Sequence, residues 1–496
     1  MFFDTPVYAV FLTLVVLVYW RLDHRSQNHM LLAASYVFYG WWDVRFLGLI
    51  AVSTFVDYHC ARAIARSGEG RRRRGLLVLA LAVNLGFLAT FKYFNFFVDS
   101  FATVLASLGV SNVPVTTLYI LLPPGISFYT FQEVAYIVDV YHRKIEPADS
   151  LLEYALFISL FPHLIAGPIQ RPSHLLPQVQ VPRVFDQERF FNGLMLILSG
   201  LFRKAVIADN CALLADAVFS GRWGEPNLVN VAIGTYAFAW QIYGDFSGYS
   251  DIARGSAQLL GFHFMVNFRQ PYLATSLQDF WRRWHISLST WLRDYLYIPL
   301  GGSRHGEATT YRNLMITMLL GGLWHGANWT FVVWGGIHGA GLAFERFAGR
   351  VAGRVSGRVS GPLANRIAGR ADARQPDGTP GASLLELRPW LARVLIFHLV
   401  CLAWIFFRAE SVTDAFGFVA GLRTIAWVPE YGIALRFLVL FTVPLFVMDL
   451  INESRGEEYV FETALETRRV AAGVALMALV AVFAANQLNA FIYFRF

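Results

Sequence analysis

The sequence has 496 residues, of which 56% are hydrophobic with Tyr counted and Gly left out. The usual count adds Gly and drops Tyr and gives roughly 60%, against about 45–50% in soluble domains, so an ordinary soluble enzyme is excluded. The net charge of +7 belongs first to the loops of a membrane protein, and nucleic acid is not expected as a partner.

The first apolar run, Pro6–Trp20, predicts a helix that stays in the membrane. Asp4 precedes this run and no basic residue does, whereas Arg21 and Arg25 follow it. A cleaved signal peptide has the opposite polarity, and basic residues collect on the cytoplasmic side of a membrane. We therefore expect a multi-pass membrane protein whose first helix is retained and whose N-terminus lies outside the cytoplasm.

Two further helices are predicted before the next basic cluster, Arg71–Arg74. The apolar runs Met30–Tyr39 and Phe46–Ala65 are separated by Gly40–Asp43, whose glycine, tryptophans and acid suit an outer surface. The first run is short for a full span and is equally compatible with a tilted or shallow helix. Two crossings return the chain to the side of Arg21–Arg25, so both basic clusters are predicted to be cytoplasmic.

The rest of the chain has enough apolar segments for an all-α bundle of ten to twelve transmembrane helices. These segments are Leu76–Phe97, Phe101–Leu122, Leu151–Ala166, Phe190–Phe219, Leu228–Tyr243, Met315–Phe344, Leu391–Phe407, Leu435–Leu450 and Val470–Phe491. Leu121–Tyr141 and the proline-rich Phe161–Gln178 are less regular, and such backbone at membrane depth needs protein or a watery cavity around it. We expect one polytopic domain, residues 1–496, built around a cavity.

The first polar cluster, Tyr243–Asp251, carries two carboxylates, Asp245 and Asp251. An ionisable residue inside a transmembrane helix is a functional candidate because its burial is costly. The alternative is that the helix has already ended and that the carboxylates bind Arg254 or backbone N–H groups at an interface. The sequence leaves these two interpretations open.

The second polar cluster, Phe280–Tyr295, combines tryptophans with positive charge. On one helix, four apolar side chains would share a face: Trp281, Trp284, Leu288 and Trp291. Arg282, Arg283 and Arg293 lie nearby in sequence, so this helix suits the membrane interface better than a full crossing. Either the segment is an anchoring belt in which His285 has no special role, or His285 is functional.

The third polar cluster, Gly321–Thr330, places His325 at the end of the apolar run Leu314–Leu323, between tryptophans and glycines. Glycine permits close approach of a substrate or helix, and the pKa of histidine suits acid–base chemistry near neutral pH. A transmembrane histidine can also simply hydrogen-bond across helices. His338 lies thirteen residues further on, about 220° around an ideal helix, so the two histidines are not predicted to share a face.

The least hydrophobic stretch is Gly349–Leu385, which contains six arginines with repeated Gly and Pro. This composition predicts a flexible basic cytoplasmic loop over residues 349–388 within the domain. The repeated Gly-Arg-Val pattern of residues 349–360 is also compatible with a basic surface helix that binds anionic lipid headgroups.

Bound cofactors and metals are not predicted. The chain contains no phosphate-binding P-loop, no Gly-x-Ser-x-Gly elbow and no dinucleotide fingerprint in a strand–helix context. The three cysteines, Cys60, Cys211 and Cys401, are far apart and indicate neither a disulfide framework nor a zinc site.

Taken in order, the motifs of this chain resemble the membrane-bound O-acyltransferase family, and more narrowly its alginate O-acetylase branch. The central match is Trp284-His285 followed by Leu323-Trp324-His325-Gly326. The supporting matches are Pro124–Gln132, Ala166–Ile169, Gly244–Ala253, Trp404–Ala409 and Phe491–Phe494. Each motif alone is weak, but the ordered set covers nearly the whole chain.

The resemblance implies a bundle around a central funnel or tunnel, with re-entrant or interfacial helices and with His325 as the catalytic histidine. It implies that His285 is a second functional histidine and that His338 matches a histidine common in this branch, which we interpret as structural. We expect Asp245, Trp284, Trp324, Asn328 and Arg282 as substrate or tunnel residues.

The chemistry expected of such a site is acyl transfer. A histidine can take the proton of an attacking hydroxyl, and the oxyanion that forms needs a donor, for which His285, Asn328 or a backbone N–H are candidates. The resemblance implies acetyl-CoA or another acyl thioester as co-substrate on the cytoplasmic side, and phosphates of such a donor would meet the Arg-rich inner face.

Our main hypothesis is O-acetylation of an exported polysaccharide such as alginate, directly or through an extracytoplasmic partner of the SGNH-hydrolase type, in contact with membrane lipids. Peptidoglycan, cellulose or another glycan fits the residues equally well, and D-alanylation of teichoic acid is a further alternative. From a different class, a proton-coupled transporter could use Asp245, Glu133 and His325 as its path.

Overall fold

Helices form the fold, and the part of the chain that the structure describes contains no β-strand. The structure is a computed structural model, and it describes residues 1–110, 117, 121–359, 384–459, 462–463, 465–485 and 491–492. The chain divides into two compact units. The first comprises Met1–Arg269, Trp324–Asn328 and Gly417–Phe496, and the second comprises Gln270–Leu323 and Trp329–Phe416.

The first unit contains most of the helices. They are α1 (Pro6–Tyr19), α2 (His24–Gly40), α3 (Arg45–Arg66), α4 (Arg71–Leu88), α5 (Phe94–Ser107), α6 (Ile126–Tyr141), α7 (Leu151–Ser159), α8 (Phe161–Leu164), α9 (Pro172–Gln180), α10 (Gln187–Leu201), α11 (Asp209–Phe219) and α12 (Leu228–Leu259).

The second unit contains two short helices and the second polar cluster, Phe280–Tyr295. Its helices are α13 (Leu277–Arg283), α14 (Ile286–Leu292), α15 (Glu307–His325), α16 (Trp329–Val359) and α17 (Leu384–Arg408). The last two residues of α15, Trp324 and His325, belong to the first unit. The chain then forms α18 (Val412–Gly421), which begins in the second unit, followed in the first unit by α19 (Pro429–Arg455) and α20 (Glu466–Phe483).

Four of the described segments are long and apolar enough to cross a membrane. They are Arg71–Ser107, Gln187–Phe219, Pro389–Arg408 and Pro429–Arg455. The all-α fold and the multi-pass membrane character are therefore confirmed. The count of ten to twelve spans and the central funnel stay predictions.

Two of these segments contain a π-helical turn, in which backbone hydrogen bonds join residues five apart instead of four apart as in an α-helix. Ala89–Tyr93 joins α4 to α5, and Phe202–Ala208 joins α10 to α11. Such turns carry an inserted residue and recur at functional positions. Each of them contains one lysine, Lys92 and Lys204 respectively.

Helices α10 and α12 pack closely because glycines face each other in two pairs. A Cβ at Gly200 would lie 2.6 Å from the carbonyl oxygen of Gly248, and a Cβ at Gly193 would lie 2.8 Å from that of Gly255. Contacts shorter than 3 Å are not tolerated by a real Cβ, so the backbones can approach this closely only without side chains. Small residues play this part at many membrane helix interfaces.

Residues from the first and the last described segments, Phe3 and Phe491–Ile492, contact the middle of α12. The ring of Phe3 stacks on Tyr249 with centroids 4.9 Å apart, and the ring of Phe491 stacks on Tyr249 at 4.3 Å. The amide of Ile492 donates to Oδ2 of Asp245 at 2.7 Å. Of the terminal motif Phe491–Phe494, residues 493 and 494 lie outside the described residues.

Some predicted segment boundaries were wrong. Phe101–Leu122 is not one helix, because α5 ends at Ser107 and the chain turns through Gly109 at a φ of 83°. Met315–Phe344 is interrupted at Gly326–Asn328, between α15 and α16. Within Val470–Phe491, α20 ends at Phe483, and residues 486–490 lie outside the described residues.

The predicted basic loop, residues 349–388, is partly helical. Helix α16 continues to Val359 and α17 begins at Leu384, whereas binding of this segment to lipid headgroups stays a prediction. Residues 360–383, on which most of the loop prediction falls, lie outside the described residues.

Candidate active site

His325 is the last residue of α15 and is buried, with 2% of its surface exposed. It lines a cavity of about 170 Å³ in the first unit. The other lining residues are Trp42, Lys92, Leu121, Leu122, Pro123, Pro124, Gly125, Ile126, Ser127, Phe128, Ile165 and Trp324. The predicted catalytic residue therefore has a cavity beside it in which a small group could react.

Trp324 forms part of the cavity wall beside His325. Its ring centroid lies 5.3 Å from that of Phe128 and 5.5 Å from that of Phe131, both on α6. The imidazole of His325 lies 5.0 Å from the indole, nearly perpendicular to it. Aromatic packing of this kind fixes the last turn of α15 against α6.

Another part of the cavity wall is the segment before α6, which contains the start of the motif Pro124–Gln132. Gly125 precedes α6 with a φ of 74°, and a Cβ there would lie 2.5 Å from the carbonyl oxygen of Leu164 and 3.0 Å from Ile165 Cα. Only glycine fits this left-handed and crowded position. The Pro-Gly motif thereby brings Ser127 and Phe128 to the cavity.

Lys92 is a cavity residue that the sequence interpretation missed. Its Nζ lies 2.6 Å from the carbonyl oxygen of Trp324, 3.2 Å from that of His325 and 3.3 Å from Ser127 Oγ. A signal for it was present, because a lysine within the apolar run Leu76–Phe97 is costly to bury and therefore calls for a role.

Asp245 lies in a charged cluster of the first unit and not on the wall of the His325 cavity. Its Oδ1 lies 2.8 Å from Lys204 Nζ, which also contacts Asp209 at 2.8 Å. Helix α12 continues past Asp245 to Leu259, so the carboxylate lies within a helix, and the helix end assumed by the structural alternative is wrong. Binding of a backbone N–H by this carboxylate, that of Ile492, agrees with the structural alternative.

The other carboxylate of this motif, Asp251, faces two arginines. Its Oδ2 lies 3.7 Å from Arg203, and its Oδ1 lies 3.7 Å from Arg254. Arg254 was the partner named in the structural alternative. The motif Tyr243–Asp251 thus joins α12 to residues of other helices through buried charges.

His285 lies in the second unit, at a break between α13 and α14. Its backbone is left-handed, with a φ of 43°, so the predicted continuous helix over Phe280–Tyr295 is wrong at this residue. Such a conformation is strained for a residue other than glycine and recurs at functional positions. The side chain is fully buried, and desolvation lowers the pKa of the His285 imidazole to about 3, so the ring is neutral.

Trp284 is fully buried in an aromatic cluster of the second unit. Its ring stacks on Phe280 with centroids 5.5 Å apart and lies 5.1 Å from Trp404. The same cluster surrounds His338, whose imidazole lies 5.2 Å from Trp281 and 4.8 Å from Trp334. His325 ends α15, whereas His338 lies on α16. The predicted separation of the two histidines around a single ideal helix therefore does not apply.

The second unit has a larger cavity of about 900 Å³, which includes Arg282. Its other lining residues are Ser276, Gln278, Trp281, Ile286, Ser289, Thr290, Leu292, Arg293, Tyr297, Thr310, Leu314, Thr317, Met318, Leu342, Phe344, Glu345, Arg346 and Ala348. Three arginines and several hydroxyl groups face an apolar wall. Glu345 is already engaged by the backbone N–H groups of Leu277 and Gln278 at 2.6 and 3.1 Å.

The structure thus groups the candidate residues in three places. His325 and Trp324 share the small cavity of the first unit with Lys92, and Asn328 follows three residues later between α15 and α16. Trp284 and His285 are buried in the second unit, where Arg282 lines the larger cavity. Asp245 belongs to the charged cluster on α12.

Comparison with known proteins assigns the chain to a family. The model of the membrane-bound O-acyltransferase (MBOAT) family matches residues 148–356, which include His285 and His325. A protein of Azotobacter vinelandii named probable alginate O-acetylase AlgI is 42% identical over 424 residues, which are 85% of this chain and 78% of that protein.

Relatives with other names are also similar. The peptidoglycan O-acetyltransferase of Helicobacter pylori is 34% identical, over 85% of this chain and 79% of its own length. The teichoic acid D-alanyltransferase of Streptococcus thermophilus is 26% identical, over 60% of this chain and 79% of its own length. With a family model across the histidine region and a 42% identical relative covered over most of its length, the chain belongs to the membrane-bound O-acyltransferase family.

Proposed function

We propose that this enzyme takes acetyl groups from acetyl-CoA on the cytoplasmic side of the bacterial inner membrane and passes them across it for O-acetylation of an exported polysaccharide. The observation that carries the proposal is the position of His325, buried beside a small cavity whose wall offers one cation and one hydroxyl. The membership of an acyltransferase family removes the transporter alternative.

In the proposed reaction, the His325 imidazole takes the proton of an acceptor hydroxyl while the oxygen attacks the carbonyl carbon of the thioester. The resulting tetrahedral oxyanion collapses by breaking the carbon–sulfur bond. The proton then passes from the imidazolium to the leaving thiolate, so the products are an ester, a free thiol and neutral His325.

The oxyanion needs a hydrogen-bond donor, because charge develops on the carbonyl oxygen during the attack. His285, Asn328 and a backbone N–H near His325 are the proposed donors. A neutral imidazole, such as burial gives His285, carries one N–H and can donate one hydrogen bond.

For the donor, we propose that its phosphates bind in the larger cavity of the second unit. Arg282, Arg293 and Arg346 offer guanidinium groups, which pair well with phosphate oxygens. Leu314 and Phe344 are among the residues that offer an apolar wall to the arm that bears the thioester. The volume of about 900 Å³ is within the range of roughly 300–1,000 Å³ for small-molecule sites.

For the acceptor, alginate is proposed from the names of the relatives that are 42% identical. Peptidoglycan or another glycan is the second candidate, because a 34% identical peptidoglycan O-acetyltransferase matches the same share of this chain. An extracytoplasmic partner of the SGNH-hydrolase type is proposed to complete the transfer to the sugar. The N-terminus is proposed to be periplasmic, opposite the arginine cluster that begins α4.

The test is His325→Ala in cells that make the polysaccharide. We expect O-acetyl groups on the exported polymer to be lost, because the proposed base is removed, while the protein still accumulates in the membrane. The matched control is His29→Ala, at an exposed histidine of α2, which leaves acetylation unchanged. Normal acetylation in the His325→Ala variant would disprove the proposal.

A further inference from the structure

The three lysines of this chain have different surroundings. Lys144 is exposed and pairs with Asp139 at 3.1 Å. Lys204 is buried between the carboxylates of Asp209 and Asp245, both at 2.8 Å. Lys92 instead donates to three uncharged oxygens, two of which are carbonyls at the end of the helix that carries His325.

The contacts of Lys92 join three separate segments of the first unit. The ammonium has three hydrogens, and its three acceptors are the carbonyls of Trp324 and His325 and the hydroxyl of Ser127. Lys92 itself lies on the π-helical turn between α4 and α5. One side chain thereby ties this turn to the start of α6 and to the end of α15.

The end of α15 needs such a partner. The last four carbonyls of any α-helix lack intrahelical donors, and the partial negative charge there attracts a cation. In this chain the helix stops at His325, and Gly326 follows without a side chain. The carbonyls that Lys92 binds belong to the predicted base itself and to the residue before it.

We propose that Lys92 is a positioning residue that holds the end of α15 and thereby sets the place of the His325 imidazole in the cavity. This inference rests on the proposed role of His325 as the base. Lys92 acts through the backbone of residues 324 and 325 and not on the acetyl group. When the clamp is lost, the last turn of α15 loosens, and the imidazole spends less time in the geometry that the reaction needs.

The first experiment measures acetyl-CoA turnover by the purified full-length protein in lipid nanodiscs. We expect Lys92→Met, which keeps the length of the side chain and removes its donors, to lower kcat by about ten- to a hundredfold, since a small misplacement of a reacting group has effects of this size. The KM for acetyl-CoA stays within about twofold, because the arginines of the larger cavity are unchanged. Lys92→Arg restores the cation and recovers kcat to within about threefold of the wild type.

The second experiment does not depend on activity. Hydrogen–deuterium exchange is measured for the peptide that spans residues 319–330, in the wild type, Lys92→Met, Lys92→Arg and the control Lys144→Met. We expect faster exchange in Lys92→Met and wild-type exchange in the other two variants. Lys144 is the matched control because it is exposed and lies outside the cavity.

The two experiments together separate this inference from the proposed function. If the wild type turns over no acetyl-CoA, the proposed donor is wrong, and the exchange measurement still tests the clamp. If Lys92→Met leaves both exchange and kcat unchanged, the positioning role is overturned. A fall in kcat without faster exchange also overturns it, because Lys92 would then act on the reactants directly.

Discussion

At the scale of single residues, Asp245 explains why a buried carboxylate in a membrane helix need not belong to the reaction site. One of its oxygens contacts Lys204 and the other accepts the Ile492 amide. Both contacts are with residues far away in sequence, on the turn after α10 and near the C-terminal end. The cost of burying the carboxylate is offset by these partners, of which the sequence indicated only the kind, a backbone N–H, and not the residues.

The substitution Asp245→Asn tests whether the carboxylate stabilises the fold. The amide keeps an oxygen for Ile492 but removes one of the two negative charges at Lys204, so we expect a loss of stability of about 1–3 kcal/mol. Thermal denaturation of the purified protein should therefore begin a few degrees lower, with the KM for acetyl-CoA unchanged. The control is Asp99→Asn, at an exposed carboxylate on α5. A raised KM at unchanged stability would return Asp245 to the substrate path.

At the scale of the elements, the close pair α10 and α12 is the most demanding helix contact of the first unit. Gly193, Gly200, Gly248 and Gly255 repeat at intervals of seven residues on both helices, and each faces the backbone of the other helix. The same contact carries the motif Tyr243–Asp251 and its charged partners. The exact fit of two backbones thus holds the polar cluster of α12 in place.

Gly200→Ala should therefore be poorly tolerated. Its Cβ would meet the Gly248 oxygen and Ile252, and overpacking of a close contact costs typically about 1–3 kcal/mol. We expect less folded protein in the membrane and a lower denaturation temperature. Gly86→Ala on α4 is the control, since nothing lies within 4 Å of its Cβ. Equal effects of the two substitutions would show that the glycine pairs do not limit the packing.

Features carried by one short segment were easier to predict from the sequence than contacts between distant segments. His325 and Trp324 lie in one short segment of the sequence and line the same small cavity, and their part in the reaction stays a prediction. The break at His285 was missed, since the tryptophans keep a helical spacing on either side of it. The partners of Asp245 were not predicted, because Lys204 and Ile492 are not its neighbours in the sequence. Lys92 was hidden for the same reason, since its acceptors lie over 200 residues away, apart from Ser127.

At the scale of the whole molecule, the excess of positive charge is concentrated in arginine. Only three of the 41 basic residues are lysines, so nearly all the surplus is carried by guanidinium groups. Arg71–Arg74 begin α4, and on α16 Arg346 lies just before the predicted cytoplasmic loop and Arg350 at its start. If these groups face the cytoplasm, they create a positive potential that attracts a polyanionic donor.

The donor site is tested by Arg282→Ala and Arg346→Ala. A hydrogen bond to a charged group contributes about 1.5–3 kcal/mol, so each substitution should raise the KM for acetyl-CoA about tenfold or more, with a smaller change in kcat. The rate of CoA release is measured against acetyl-CoA concentration. Arg45→Ala, at an exposed arginine paired with Asp43, leaves the KM unchanged. An unchanged KM in both cavity variants would mean that the phosphates bind elsewhere.

The stacking of Phe3 and Phe491 on Tyr249 has a consequence for the timing of assembly. Along the chain, Phe3 is made well before Tyr249, and Phe491 is made well after it. While α19 and α20 are being made, the Phe491 ring does not yet stack on Tyr249, and Oδ2 of Asp245 does not yet accept the Ile492 amide. The polar motif of α12 therefore gains these two contacts only after the segment that contains Phe491 and Ile492 has been made.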